Sequence, residues 1–322
     1  MTIVGTWNVE NLFRPGGPFG PKDAATYDAK LAALADTITS TAPDVLAVQE
    51  VGDPAALDDL VKLLPGEWHT HLSGHFEDDH PIRVGFLSRL PLTVLADVSM
   101  FPAALGSVQV DDAGTVRSAM GRGALAVRVE PAPGQRLVLV ACHLKSKLLG
   151  FPPGPNGKPR FNPHDEGERA RYAGYALFRR AAEAVAVRGL ADELLDGQGR
   201  TRPVAVLGDL NDEPQAATTQ ILLGPPGSEL GTAGAGVPDK GDARRLWNLA
   251  PLIPEAERFT RVFHGRGELI DHILVSQALL ERVHEVRVVG AAALPSVTDG
   301  PPAGRPDRGS DHSPVLAHVT FA

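Results

Sequence analysis

The chain has 322 residues, of which 43% are hydrophobic and 22% charged, as is ordinary for a globular protein with a large core. Its formal net charge of −8 disfavours binding to long duplex nucleic acid, because that mode of binding needs a basic face. Small phosphorylated substrates and single strands remain compatible with this charge.

Apolar runs rich in β-branched residues predict strands from one end of the chain to the other. Strands outnumber long helices, and two of them follow each other directly across a Pro-Gly turn, which favours a mixed sheet over a purely doubly wound one. The predicted strands lie at 2–9, 44–51, 82–88, 123–130, 136–143, 203–208, 269–276 and 314–321.

Helical spacing of apolar residues is strongest over 27–41, with Thr26 as the predicted cap, and over 168–188. Shorter helices are predicted near 55–64 and 215–222. Stretches rich in Gly and Pro predict loops over 150–163, 224–242 and 291–309.

Polar side chains recur where the apolar runs stop. In open α/β sheets ligands bind outside the strand ends, so these residues are predicted to converge on one cleft. Since residues near position 8 and near position 312 must then meet, we expect a single domain over 1–322. The stretches concerned are Asn8 to Glu10, Glu50, His143 to Lys147, Asp209 to Asn211, and Asp311 with His312.

Glu50, Asp311 and the Asn8/Glu10 pair offer oxygen ligands without a matching set of Cys or closely spaced His. Oxygen-rich sites suit Mg²⁺ or Mn²⁺ and disfavour zinc. A lone strand-end Glu is more often a surface charge, and it is the combination that predicts a divalent ion of the kind used in phosphate chemistry.

Asp209 and Asn211 lie on the same side of an extended segment. The carboxylate can orient and deprotonate an attacking water, while the amide can hold that water or a phosphate oxygen. The alternative is an Asx-type turn, because residues 209–214 are rich in turn formers.

Asp271 is predicted to be buried in a strand and therefore needs a partner. His312 across the sheet would satisfy it, and the pairing would give a histidine able to contact an anionic phosphate. The alternative is a satisfied hydrogen bond of the core.

His143, Lys145 and Lys147 alternate at a strand end and are predicted to face one side as a phosphate clamp, with the hydroxyl of Ser146 as an added donor. The alternative is a polar strand end. His69, His71, His75 and His80 fit no regular zinc spacing, so that segment is predicted to be a solvated loop.

Seven stretches in chain order resemble the endonuclease/exonuclease/phosphatase superfamily, metal-dependent phosphoesterases that include DNase I, exonuclease III-type repair enzymes, inositol polyphosphate 5-phosphatases and neutral sphingomyelinases. They are TWNVENLF, VLAVQEV, RVGFLSR, HLKSK, GDLNDEP, IDHILVS and GSDHSPV. The resemblance covers nearly the whole chain. It implies a four-layered α/β sandwich, with two mixed β-sheets face to face and helices outside.

The resemblance also implies roles for the residues at the strand ends. Glu50 is similar to the main metal ligand, with Asn8, Glu10 and Asp311 in the metal shell, and one or two ions remain possible. Asp209 resembles the residue that activates the water, with Asn211 as its phosphate-orienting neighbour. His312 with Asp271, and His143, resemble the phosphate-binding histidines, and Lys145, Ser146, Lys147 and Asn8 would contact substrate.

The function expected is Mg²⁺- or Mn²⁺-dependent hydrolysis of a phosphodiester, as in a nuclease, by in-line attack of water. Alternatives are a phosphomonoesterase, a phospholipase-like hydrolase of a small substrate, or an inactive binding scaffold. Among nucleic acids, single strands or ends of DNA or RNA are favoured over long duplex, and no obligate protein partner is expected. Without a signal-peptide pattern or a membrane-length apolar stretch, we expect cytoplasmic residence unless a leader was trimmed.

Overall fold

The computed structural model describes residues 1–154, 157–224, 227, 229–238, 240–297 and 309–321, so the three predicted loops lie partly outside the described residues. Its strands are β1 Thr2–Leu12, β2 Val45–Val51, β3 His69–Leu72, β4 Arg83–Ser88, β5 Thr93–Met100, β6 Val108–Gln109, β7 Val116–Arg117, β8 Ala119–Ala132, β9 Gln135–His143, β10 Val204–Asp209, β11 Trp247–Asn248, β12 Arg261–Phe263, β13 Arg266–Glu268, β14 Asp271–Val275, β15 Val283–Val288 and β16 Val315–Val319. Its α-helices are α1 Ala24–Thr41, α2 Pro54–Lys62, α3 Glu166–Leu195, α4 Ala217–Leu222 and α5 Gln277–Leu280. Short 3₁₀-helices lie at Lys240–Ala243, Ala250–Leu252, Glu255–Glu257 and Ala291–Ala293.

Most of the strands form two six-stranded sheets. The first has the order β15-β16-β1-β2-β4-β3 and the second the order β11-β14-β10-β9-β8-β5. Each sheet contains one parallel pair, β1 with β2 and β9 with β10, while its other pairs are antiparallel. Both sheets are therefore mixed, as the sequence predicted.

The alternation of side chains along the strands produces a layered core. Val4, Val45 and Phe86 of the first sheet pack against Leu139 and Leu207 of the second. The opposite face of the first sheet packs on α1 and α2, and the opposite face of the second sheet packs on α3. The four layers in order are helices, sheet, sheet and helices, which is the predicted sandwich.

The two ends of the described chain lie side by side. β1 pairs with β16 in antiparallel register, from Thr2 opposite Val319 to Thr6 opposite Val315. This pairing brings the segment before β16 to the carboxyl end of β1, where the first polar residues of the predicted site are found.

Two local predictions are corrected by the structure. Helix α1 is capped by Asp23, whose Oδ1 accepts from the backbone N of Thr26 at 2.7 Å, so the predicted cap residue lies inside the first turn. The His-rich segment is not a continuous loop, since His69 and His71 belong to the edge strand β3. No helix among the described residues is long and apolar enough to cross a membrane.

Gly208 is required where β9 and β10 pair next to the site. A Cβ at this position would lie 1.9 Å from the carbonyl oxygen of Cys142, which is backbone and cannot move aside without breaking the pairing. We expect Gly208→Ala to lower the free energy of unfolding by about 1–3 kcal/mol or more, the usual cost of overpacking. Urea denaturation measures it, and Gly17→Ala, where a Cβ meets nothing within 4 Å, is the control. Equal stability of the two variants would contradict this expectation.

Candidate active site

The carboxyl ends of four strands from both sheets carry polar side chains that meet at one edge of the sandwich. Asn8 lies in β1, Glu50 in β2, His143 ends β9 and Asp209 ends β10. Because β14 runs antiparallel to β10, its first residue, Asp271, pairs directly with Asp209. The sequence-predicted convergence is therefore present in the fold.

The side-chain amide of Asn8 joins carboxylates of the two sheets. Its Nδ2 donates to Glu50 Oε1 and to Asp209 Oδ2, both at 3.0 Å, and its Oδ1 accepts from the backbone N of Glu10 at 2.9 Å. Asn8 is fully buried. These contacts give Asn8 a positioning role, while its predicted direct contact with metal or substrate stays a prediction.

Irregular backbone aims the acidic residues into the site. The register of β1 with β2, and of β2 with β4, shifts next to the site. Glu10, Asn11 and Glu50 have φ of +48°, +49° and +63°, in the left-handed region that costs a non-glycine residue about 1–3 kcal/mol. The backbone N of Asn11 donates to Glu50 Oε2 at 2.9 Å, so this conformation also fixes the carboxylate of Glu50.

The carboxylate of Asp209 is buried at the centre of the site. Its Oδ1 accepts from the backbone N of Asn211 at 2.8 Å, which is the predicted Asx-type contact, and the amide of Asn211 donates to Leu144 O at 3.0 Å. Burial, followed by the nearby charge of Asp271, raises the pKa of Asp209 to about 7.

His312 is paired with Asp271 as predicted. His312 Nδ1 lies 2.7 Å from Asp271 Oδ2, and its Nε2 lies 4.0 Å from Asp209 Oδ2. Burial would lower the pKa of His312, but the charges of Asp271, Asp311 and Asp209 outweigh it and hold that pKa well above its ordinary value. The structure therefore favours a charged His312 beside Asp209.

The pKa of His143 is shifted in the opposite direction. Its Nε2 lies 3.5 Å from Asp209 Oδ2 and 4.0 Å from Glu50 Oε1, while its buried Nδ1 has no hydrogen-bond partner among the described residues. Burial, with the positive charges of Arg122 and His312, lowers the pKa of His143 well below its ordinary value. His143 is consequently neutral at neutral pH.

The segment before β16 is fastened to β1 by short hydrogen bonds. Ser310 Oγ donates to Asn8 O at 2.6 Å, and the backbone N of Asp311 donates to Glu10 Oε2 at 2.9 Å. Asp311 Oδ2 also lies 3.5 Å from Arg261 Nε. Glu10 and Asp311 are thus neighbours of each other at the rim, near Glu50.

Two sets of oxygen-rich ligand atoms are present at this edge. Asp209, Asp271 and His312 offer ligand atoms that all lie within 4.8 Å of one another. Glu50 and Asp209 form the second set, since both carboxylates contact the amide of Asn8. Neither Glu50 nor Asp209 forms a salt bridge with Lys or Arg among the described residues, although the charges of Glu50, Glu10 and Asp311 act on the buried Lys30. The oxygen donors of these carboxylates fit a divalent cation.

The sequence profile of the Endonuclease/Exonuclease/phosphatase family matches residues 5–312. The chain belongs to this family. Its members include metal-dependent phosphoesterases. None of the proteins with curated descriptions matches the chain significantly.

Solved structures of this fold are similar over essentially the full chain. A mannosyl-6-phosphatase from Bacteroides thetaiotaomicron is 15% identical, with 100% of both chains covered and a TM-score of 0.56. A humanised TDP2 from D. rerio is 17% identical, with 99% of both chains covered and a TM-score of 0.56. A functionally unknown conserved protein from Enterococcus faecalis is 14% identical, with 100% of both chains covered and a TM-score of 0.56. At these identities the likeness shows the fold alone.

The alternation that predicted a three-cation clamp ends with β9 at His143, because the chain turns there. Lys145 Nζ folds back to donate to Ser146 O and Ser146 Oγ, both at 3.2 Å, and to Leu148 O at 3.0 Å. Lys147 Nζ lies 3.6 Å from Asp212 Oδ1 and 3.4 Å from Glu268 Oε1. The two lysines therefore face different surroundings, and their predicted contact with substrate stays a prediction.

Two residues that support the site were not found from the sequence. Glu183, fully buried in α3, accepts from the backbone N of Lys145 at 2.5 Å and of Gly121 at 3.2 Å. His80, assigned to a solvated loop, is half-buried, and its Nε2 lies 2.9 Å from Asn11 Oδ1. An acidic residue among the alanines of an apolar helix face was the available signal for Glu183.

The raised pKa of His312 gives a direct test of the site electrostatics in the metal-free protein. We expect Asp271→Asn to lower the pKa of His312, because the variant removes the hydrogen-bonded negative charge. A protonated His312 stabilises the fold below its ordinary pKa, and this contribution is lost as pH rises through the raised value. Histidine NMR titration in EDTA measures the shift. A pKa of His312 that is unchanged in Asp271→Asn would contradict the assignment, and the exposed-loop variant Asp78→Asn is the control.

Proposed function

We propose that this chain hydrolyses phosphoester bonds with the help of a divalent metal ion, Mg²⁺ or Mn²⁺, and that its substrates are phosphodiesters. The observation that carries the proposal is the approach to Asp209 of three side chains from distant parts of the chain, in β1, at the end of β9 and in the segment before β16. These are the amide of Asn8 at 3.0 Å, His143 at 3.5 Å and His312 at 4.0 Å. A carboxylate, a neutral histidine and a charged histidine thereby face one small volume.

The proposed ion would be held by Glu50, with Asp311 and Glu10 nearby and Asp209 on the other side of the Asn8 amide. Two buried or half-buried carboxylates that share one amide donor repel each other unless a cation lies close. A bound ion would supply positive charge for a developing phosphoryl negative charge and would orient a phosphate oxygen.

Asp209 is the proposed acceptor of a proton from the attacking water. Its orientation is fixed on both oxygens, by Asn8 on Oδ2 and by the backbone N of Asn211 on Oδ1. A carboxylate with a raised pKa is a stronger base than an ordinary one, and general bases work best near the operating pH. Asn211 keeps a second amide N–H for the water or a phosphate oxygen.

The two histidines are proposed to contact the phosphate in different ways. His312 holds its charge through Asp271 and can offset negative charge on a phosphate oxygen. His143 is neutral and buried, so it can donate one hydrogen bond without adding charge to the site. In-line attack of water would then require no covalent bond between the protein and phosphorus.

A phosphomonoesterase for a small substrate is the second candidate, favoured by the net charge of −8. Hydrolysis rates on bis-p-nitrophenyl phosphate, oligonucleotides and a panel of monoesters separate the two. Faster turnover of monoesters than of nucleic acid under matched conditions would favour this second function.

Asp209→Asn is expected to lower kcat for a diester by about 10²–10⁴-fold, because the amide cannot accept a proton from water. Asp44→Asn is the matched control, since Asp44 bonds the backbone of Ile3 at the far end of β2, away from the site. Steady-state kinetics with Mg²⁺ and with EDTA measure both. A kcat of Asp209→Asn equal to that of the unmodified protein, or a turnover rate that EDTA does not change, would refute the proposed mechanism.

Glu50→Gln is expected to weaken binding of Mg²⁺ or Mn²⁺ by at least about tenfold, as a neutral amide replaces the charged ligand. Isothermal titration calorimetry measures this in the absence of substrate, again with Asp44→Asn as the control. If the unmodified protein binds neither ion, the chain is a binding scaffold with this fold and not a metal-dependent hydrolase.

A further inference from the structure

A groove of about 380 Å³ opens beside the candidate active site, within the range of about 300–1,000 Å³ that is usual for ligand pockets. This β8 groove is lined by Arg117, Arg122, Lys145, Phe161 and Tyr175, among others. Its floor is the start of β8, and one wall is the exposed side of α3.

The β8 groove begins next to the proposed metal ligand. His80, another lining residue, lies 2.9 Å from Asn11 Oδ1, and the backbone N of Asn11 donates to Glu50 Oε2 at 2.9 Å. Arg122 also contributes to the lowered pKa of the catalytic-site residue His143. A ligand in the groove would therefore continue directly from a phosphate at the site.

The lining of the β8 groove is more positive than the chain as a whole. Its cations are Arg117, Arg122, Lys145 and Arg179, against the carboxylates of Glu77 and Asp79. Arg179 is committed to ion pairs with Glu77 at 2.9 Å and with Glu183 at 3.0 Å. On a protein of net charge −8, the remaining cations make a local attraction for anions.

Arg122 has few interactions of its own. Within the described ranges its guanidinium makes one long contact, 3.5 Å from Nη1 to Leu144 O, and no ion pair with a carboxylate. Among the described residues, Lys145 Nζ donates only to oxygens of Ser146 and Leu148. Burial, with the nearby charges of Arg122 and Arg179, lowers the pKa of Lys145 to about 8. The charge of Glu77 reaches the side chains of both Arg122 and Lys145, but neither is held in a direct salt bridge, so both can contact an anion bound in the groove.

Aromatic side chains face the same groove. Phe161 leaves 60% of its surface exposed, so its ring is accessible to a ligand in the groove. Tyr175 is half-exposed and is held in place by an edge-to-face contact with Tyr172 at 5.5 Å and by its hydroxyl bond to Asp112 at 3.0 Å. Both rings offer surfaces on which a planar group can stack.

We propose that the β8 groove binds single-stranded nucleic acid, with the phosphate next to the scissile one against Arg122 and a base against Phe161 or Tyr175. The inference rests on the proposed function, because it assigns the substrate class of the same site. Cations together with aromatic rings are the combination that binds single strands, each stacked base contributing to affinity without fixing the sequence.

The alternatives fit the β8 groove less well. Long duplex requires many more phosphate contacts than two arginines and one lysine provide. A sugar monophosphate has one phosphate, which the metal and the histidines would occupy, so it would leave Arg122 and Arg117 without an anion. A single strand supplies both a second phosphate and a planar base.

The test measures binding of a fluorescein-labelled oligothymidylate of about ten nucleotides by anisotropy, in EDTA to prevent turnover. We expect Arg122→Gln to weaken binding roughly tenfold, because it removes a charge-assisted contact, and to reduce the salt slope by about 0.7. Arg128→Gln is the matched control: Arg128 is also half-buried in β8, but it lies about 20 Å further along the strand. It is expected to bind like the unmodified protein.

Arg117→Gln, which changes an exposed residue, gives the same test if Arg122→Gln unfolds, and it is expected to weaken binding less. Equal affinity of the Arg122, Arg117 and Arg128 variants would overturn the inference. So would stronger competition from a sugar monophosphate, or from vesicles with phosphoinositide headgroups, than from unlabelled oligothymidylate. If the protein hydrolyses diesters with metal but all three variants bind the oligonucleotide equally well, the inference about the groove alone is refuted. If binding depends on the arginines but no ester is hydrolysed, the proposed function alone is refuted.

Discussion

The site depends on one hydrogen-bonded amide that joins the two sheets. Asn8 belongs to the first sheet and donates from a single nitrogen to Glu50 of that sheet and to Asp209 of the second. The amide thereby fixes how far apart the two carboxylates lie. Burial raises the pKa of Asp209 even beside the charged His312, so a proton or a further cation near Asp209 would stabilise this arrangement.

The two histidines of the site differ in pKa because their surroundings differ. The charges of Asp271, Asp311 and Asp209 hold the pKa of His312 above its ordinary value, whereas burial, followed by the charge of Arg122, lowers the pKa of His143. Titratable groups whose surroundings push their pKa values apart are the usual basis for separate acid and base roles. Here Asp209 lies between the two, in contact with both, so its own protonation depends on which of its neighbours is charged.

The sequence predicted eight strands and the residues at their ends, because buried strands are read as apolar runs and the site begins where those runs stop. It missed β5 and β15, which are largely exposed and carry no such run. It could not predict the side on which Lys145 and Lys147 face, since β9 ends at His143 and alternation carries no information beyond a strand. Nor could it identify Arg122, which lies on β8 and becomes relevant only through the pairing of β8 with β9. A residue whose role depends on contacts with distant parts of the chain produces no local pattern in the sequence.

Helix α3 connects the β8 groove to the centre of the site. Glu183 accepts from the backbone of Lys145 and of Gly121, next to Arg122, and so fixes the two segments that carry Lys145 and Arg122 into the groove. Arg180, one residue beyond Arg179, donates to Lys145 O at 3.1 Å and to Asp212 Oδ2 at 3.1 Å. A single turn of α3 therefore holds the loop after β9 and the loop after β10 at a fixed separation. Because Asn211 belongs to the second of these loops and Asp209 directly precedes it, movement of α3 and movement of the Asp209 carboxylate would be mechanically linked.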